Sequence, residues 1–234
     1  MNATVRLFVR LAVALAMPFF LGLTNIRLIV SPAYPQMEYA KESFPLDQYG
    51  FSQGDRLELA LVAVDYLGRP QPAEEVIYLL EEQVIPGTTD PLYNEKEIGH
   101  MVDVKHVTDG IGRVRLVAAA IVILGLITLL WSSATRREGY RAILQGGITT
   151  TAILFTLALF ILVAWSVFFT QFHELLFPPG TWTFFYSDSL IRLFPEKFWF
   201  DLGVILSVGT LVEGILVAGL GYWLLGRDLL QTPR

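Results

Sequence analysis

Four stretches of this chain stay apolar long enough to cross a bilayer: roughly residues 7–25, 114–132, 148–169 and 202–225. About 20 predominantly apolar residues in a helix span a membrane, and a helix satisfies its own backbone N–H and C=O groups where no water can. The pattern therefore predicts four transmembrane helices. Between the first two runs the periodicity changes. Leu57, Leu61, Val64 and Leu67 recur at helical intervals and Asp55 with Glu58 has capping-box spacing, which predicts an amphipathic helix over 55–68. Pro72 with Glu74 and Glu75 starts a second helix ending before Pro86-Gly87, and Gly87-Thr88-Thr89-Asp90-Pro91 reads as a turn-rich connector. Asn94 followed three residues later by Glu97 reads as the N-cap and N3 of a third helix. It runs on into the second apolar stretch, with Gly110 and Gly112 marking a break or kink.

The expected fold is an all-α integral membrane protein: four transmembrane helices with a small, mostly helical extracytoplasmic cap between helices 1 and 2. Residues 1–30 carry the first transmembrane helix and 31–112 the cap. Residues 113–234 carry transmembrane helices 2 to 4, with an aromatic-rich outer loop at 170–201.

Composition agrees with this reading. At 53% apolar, 17% charged and a mean hydropathy of +0.52, the chain is too apolar for an ordinary soluble domain. Basic residues set the orientation: Arg6 and Arg10 flank the first run, Arg136, Arg137 and Arg141 crowd the connection between the second and third, and Arg227 and Arg234 follow the fourth. Both termini are expected in the cytoplasm. Arg113 and Arg115 oppose this, but residues 31–112 hold 15 Asp or Glu against 5 Lys or Arg, as suits an outer segment. The first run has the charge and apolar core of a secretory signal; Thr24-Asn25-Ile26-Arg27 after it lacks a small-residue cleavage site, so retention is expected. With no cysteine, disulfides, thiol nucleophiles and thiolate metal sites are excluded.

The candidate chemistry lies in two histidines, His100 before the second run and His173 after the third, both expected at one outer membrane surface. Two imidazoles at one interface suggest acid–base work on an amphiphile. Helical spacing puts Glu97 and Asp103 three residues on either side of His100, so either carboxylate could fix its tautomer and support its protonated form. Residues 168–201 hold twelve aromatic residues, among them Phe172, Phe177, Trp182, Phe184, Phe185, Tyr186, Phe194, Phe198 and Trp199. An interfacial aromatic belt accounts for some of them; an aromatic-walled pocket for acyl chains is the sharper reading.

The run Asn94-Glu-Lys-Glu-Ile-Gly-His100-Met101-Val-Asp103-Val-Lys105, then Phe172-His173, Trp182, Asp188, Leu190-Ile191 and Phe194-Pro195, resembles the bacterial lipoprotein intramolecular transacylase family over nearly the whole chain. The resemblance implies a membrane acyltransferase that moves an acyl chain from the sn-2 position of a lipoprotein's diacylglyceryl group to the amino group of its N-terminal cysteine. It also implies catalytic roles for His100 and His173, with Glu97, Asp103, Lys105, Trp182 and Asp188 supporting them. Diacylglyceryl-modified lipoproteins and membrane lipids are the expected partners, in the bacterial cell membrane with the site on the extracytoplasmic face. No nucleic acid, cofactor or metal is expected.

Two-histidine ester aminolysis needs a base for the amine, stabilisation of the oxyanion and a proton for the leaving alkoxide. Blander readings stand beside it. His106 reads as a solvated residue and Glu174 as structural. Arg192 reads as a lipid-phosphate contact, a partner of Asp188 or a solvated charge. Glu213, a carboxylate inside the fourth run among Gly209, Gly214 and Gly219, reads as buried at a close helix contact or as functional. The alternative functions are a non-enzymatic lipid-binding or assembly module, a transporter built on Glu213, and a zinc hydrolase, for which His100, His106 and His173 lack a recognised ligand spacing.

Overall fold

The computed structural model describes residues 1–231; Arg234, used above for orientation, lies outside them. Every regular element described is helical. In chain order these are α1 (Ala3–Ile29), α2 (Ala33–Tyr39), α3 (Gln53–Gly68), α4 (Ala73–Val76), α5 (Tyr78–Glu81), α6 (Glu95–Leu130), α7 (Ser133–Val163), α8 (Trp165–Leu176), α9 (Ser189–Leu193) and α10 (Glu196–Gln231). Among them α1, α6, α7 and α10 are long and apolar enough to cross a membrane.

Two compact units divide the chain. The first takes residues 1–26, 111–162 and 204 onward, the apolar parts of those four helices. Val13, Met17, Val122 and Leu129 are buried at its core. Small residues let the backbones close up: a Cβ on Gly147 would lie 2.2 Å from the Ala218 nitrogen, and one on Gly221 2.4 Å from that of Leu144. Glu213 accepts a 2.9 Å hydrogen bond from Asn25, which also reaches the Thr210 hydroxyl at 2.9 Å. Its carboxylate is thus held by an amide on α1, a partner the glycine pattern did not indicate.

The second unit comprises residues 27–110 and 163–203. Its core is built on Tyr39, Tyr66, Leu80 and Leu193, all nearly or fully inaccessible. Their polar ends are satisfied by backbone: Tyr39 donates to the Leu193 carbonyl, and Tyr66 donates to that of Met101. Buried Arg56 donates to the carbonyls of Arg192 and Pro45, at 2.8 and 2.6 Å. Arg192 pairs at two points with Asp47, at 3.1 and 3.0 Å, rather than with Asp188.

The structure keeps some of the expected local elements, shifts others and replaces two of them. The capping box of α3 is Ser52 with Asp55, because the hydroxyl one turn earlier takes the Asp55 N–H. The helix expected after Pro72 is two single turns, α4 and α5. Helix α6 continues unbroken through Gly110 and Gly112. The apolar run 148–169 is not one helix: α7 starts upstream at Ser133, ends at Val163 and is followed by Ala164 at φ −138°, ψ 48°, beyond which α8 begins. Hydropathy does not mark this break, since both sides are apolar.

Candidate active site: two imidazoles among aromatic rings

Helix α6 starts with a reciprocal cap. The Asn94 side chain accepts the Glu97 N–H at 3.0 Å, and the Glu97 carboxylate accepts the Asn94 N–H at 2.8 Å. The second Glu97 oxygen accepts the Leu190 N–H at 2.7 Å, so one buried carboxylate joins the start of α6 to α9. Burial pushes the Glu97 carboxyl above its usual range, opposed by those backbone donors. His100 follows one turn later on this anchored helix, 9% exposed.

His173 lies near the end of α8, and the two imidazole rings face each other at 6.4 Å between centroids, 25° from parallel. Aromatic rings enclose them. Phe177 stands 4.8 Å and Phe184 5.4 Å from His100; Phe169 lies 4.1 Å, Trp182 5.0 Å and Phe172 5.5 Å from His173.

The hydrogen bonding distinguishes the two rings. His173 Nδ1 is 2.8 Å from the Phe169 carbonyl, one turn back on α8. A carbonyl oxygen only accepts, so Nδ1 carries the proton and Nε2 presents a lone pair. Among the described residues, His100 Nδ1 is buried with no hydrogen-bond partner, as is the Trp182 indole N–H. Burial lowers the basicity of both imidazoles: His173 falls below its ordinary value, and His100 falls to about 4, helped by His173 and by the Lys96 ammonium. Both rings are neutral at neutral pH.

The expectation that Glu97 or Asp103 orients His100 is not met. Backbone N–H groups occupy the Glu97 carboxylate, and no hydrogen bond joins Asp103 to either ring. Lys105 is fully buried away from the histidines, bonded to Asp109 at 2.7 and 2.9 Å and to the Arg69 carbonyl at 2.9 Å. Asp188 accepts the Phe185 N–H at 2.8 Å, closing the turn before α9. His106 is exposed and 3.2 Å from Glu74, and Glu174 takes Gln171 as its partner. The sequence reading missed two groups: the Phe169 carbonyl, legible at helical spacing from His173, and Lys96, four residues before His100.

Four membrane-length apolar helices and a buried imidazole pair ringed by aromatics together describe a multi-pass membrane protein with a compact candidate site. The chain belongs to the lipoprotein intramolecular transacylase Lit family, which matches residues 11–199. It shares the fold of the membrane integral lipoprotein intramolecular transacylase Lit from Bacillus cereus, with a TM-score of 0.68 at 21% identity, covering 98% of this chain and 100% of that one. A structure of the same Bacillus cereus protein with one histidine replaced by alanine matches with a TM-score of 0.60 at 22% identity, covering 97% of each chain. An uncharacterized protein from Aquifex aeolicus is 27% identical over 227 residues, 97% of this chain and 98% of its own.

Proposed function

We propose that this protein moves an acyl chain from the sn-2 position of a lipoprotein's diacylglyceryl group to the amino group of the same lipoprotein's N-terminal cysteine, leaving a lyso-form product. The observation that carries the reading is the neutral His100–His173 pair, 6.4 Å apart within aromatic rings, with His173 Nε2 free to accept a proton. His173 takes one proton from the substrate ammonium. The free amine attacks the sn-2 ester carbonyl: a C–N bond forms, the C–O bond breaks, and the second proton shed by nitrogen passes by way of His100 to the departing glyceryl oxygen. His173 then returns its proton to water.

Placing donor and acceptor on one molecule leaves the protein mainly the task of holding the substrate folded, for which tightly packed rings are suited. Among the supporting residues, Glu97 anchors the helix that carries His100, Trp182 packs on His173, and Lys105 and Asp188 serve the surrounding structure. In this reading residues 31–112 form a cap on the extracytoplasmic side together with 170–201. The basic Arg136, Arg137 and Arg141 support it, because an excess of Lys and Arg in a short connection favours the cytoplasmic side.

The test is mass spectrometry of a lipoprotein's N-terminal peptide from cells with and without this protein. An N-acyl group paired with a monoacylglyceryl thioether, present only with the protein, is the expected result. Its absence, or its persistence when both histidines are replaced by alanine, refutes the reading and favours a non-enzymatic lipid-binding or assembly module.

A further inference from the structure

Lys96 lies one helical turn before His100, so the two side chains project from one face of α6. Its ammonium reaches across to the loop following α8, donates to the backbone carbonyl of Thr183 and lies 5.2 Å from the centroid of the Phe184 ring. The neighbours of Thr183 are the rings that contact the histidines: Trp182 at 5.0 Å from His173 and Phe184 at 5.4 Å from His100. Among the described residues, 182–184 make no other hydrogen bond. The chain enters this stretch through Pro178, Pro179 and Gly180, the last at φ 85°, and its next tie is the turn closed by Asp188.

We propose that Lys96 is a positioning residue of the acyl-transfer site, tethering residues 182–184 so that Trp182 and Phe184 stay packed on His173 and His100. The inference rests on the transacylase reading. A charged donor suits the task, because a hydrogen bond from an ammonium is stronger than one between neutral groups. The same ammonium puts a fixed positive charge near His100, where with His173 it discourages protonation of that ring.

The experiment compares wild type with Lys96→Met, Lys96→Gln and Lys96→Arg, purified in detergent and assayed on a synthetic diacylglyceryl lipopeptide from pH 3.5 to 8, a range that includes the His100 limb near 4. Lys96→Met should lower kcat/KM about tenfold at pH 7 and move the acid limb of the profile to higher pH. Lys96→Arg should restore both, whereas Lys96→Gln, a donor without charge, should recover rate at pH 7 but keep the displaced limb. Unchanged kcat/KM in Lys96→Met overturns the proposal, as does a loss that neither Lys96→Arg nor Lys96→Gln recovers. The Arg and Gln variants keep the test decisive if Lys96→Met does not fold. Wild-type protein that makes no lyso-form product refutes the transacylase reading itself, a result distinct from active wild type with indifferent Lys96 variants.

Discussion

Burial of the two imidazoles makes a prediction about acid. An unshifted imidazole, with a pKa of about 6.5, keeps roughly one-tenth of its molecules neutral at pH 5.5. His100, lowered to about 4, remains almost wholly neutral there, and His173 is shifted in the same direction. If the substrate amine arrives as the ammonium, the acid limb of kcat belongs to the enzyme's histidines alone. Lowering the pH from 7 to 5.5 should therefore leave well over one-tenth of kcat. Initial rates at saturating lipopeptide, read by mass spectrometry of the lyso-form product, measure this directly. A fall to about one-tenth with an inflection near 6.5 would refute the burial argument. Stability carries the same sign. The unfolded His100 binds a proton at about 6.5 and the folded one at about 4, so between those values the unfolded chain holds more protons and the fold weakens as pH falls. This one residue then accounts for a loss of about 3 kcal/mol on acidification across that window, from 1.36 kcal/mol per unit, which thermal melts at pH 7 and pH 4 would register.

Three further outcomes follow from the geometry. His100→Ala and His173→Ala should each slow acyl transfer by about 10² to 10⁴, with the double variant losing far less than the product, while exposed His106→Ala stays near wild type in the same assay. Glu97→Ala leaves the Asn94 and Leu190 N–H groups without their acceptor and should cost about 2–4 kcal/mol, measured by thermal or denaturant unfolding; an unchanged midpoint would contradict the anchoring role. Gly147→Ala drives a methyl to 2.2 Å from the Ala218 nitrogen and should lower the melting temperature, whereas Gly209→Ala, with nothing within 4 Å, should hold or raise it.

Features encoded over one or two helical turns were legible in the sequence. The Asn94 and Glu97 cap needs only three-residue spacing, and the structure has it; the spanning runs needed only length and apolarity. Long-range pairing was not legible. Glu97 and Asp103 looked available to His100 because spacing along a helix says nothing of competitors, and the competitor for Glu97 is a backbone N–H 93 positions away. Arg192 finds Asp47 across 145 positions for the same reason, although Asp188 is nearer in sequence. The break at Ala164 escaped notice because it falls where the hydropathy pattern is uniform. The two histidines drew attention through their position between apolar runs; their closeness depends on tertiary packing.

The Phe169 carbonyl that holds the His173 ring has an evolutionary consequence. Where a carboxylate side chain orients an imidazole, a single codon change can abolish the orientation. Here the acceptor is main chain, supplied by whatever residue stands at 169 as long as the segment stays helical. The five positions from 169 to 173 thus form a self-sufficient cassette, in which the tautomer is inherited with the helix. No carboxylate is needed for this orientation, so acidic side chains elsewhere on the helix can change without altering which nitrogen presents the lone pair, provided the enclosing rings stay.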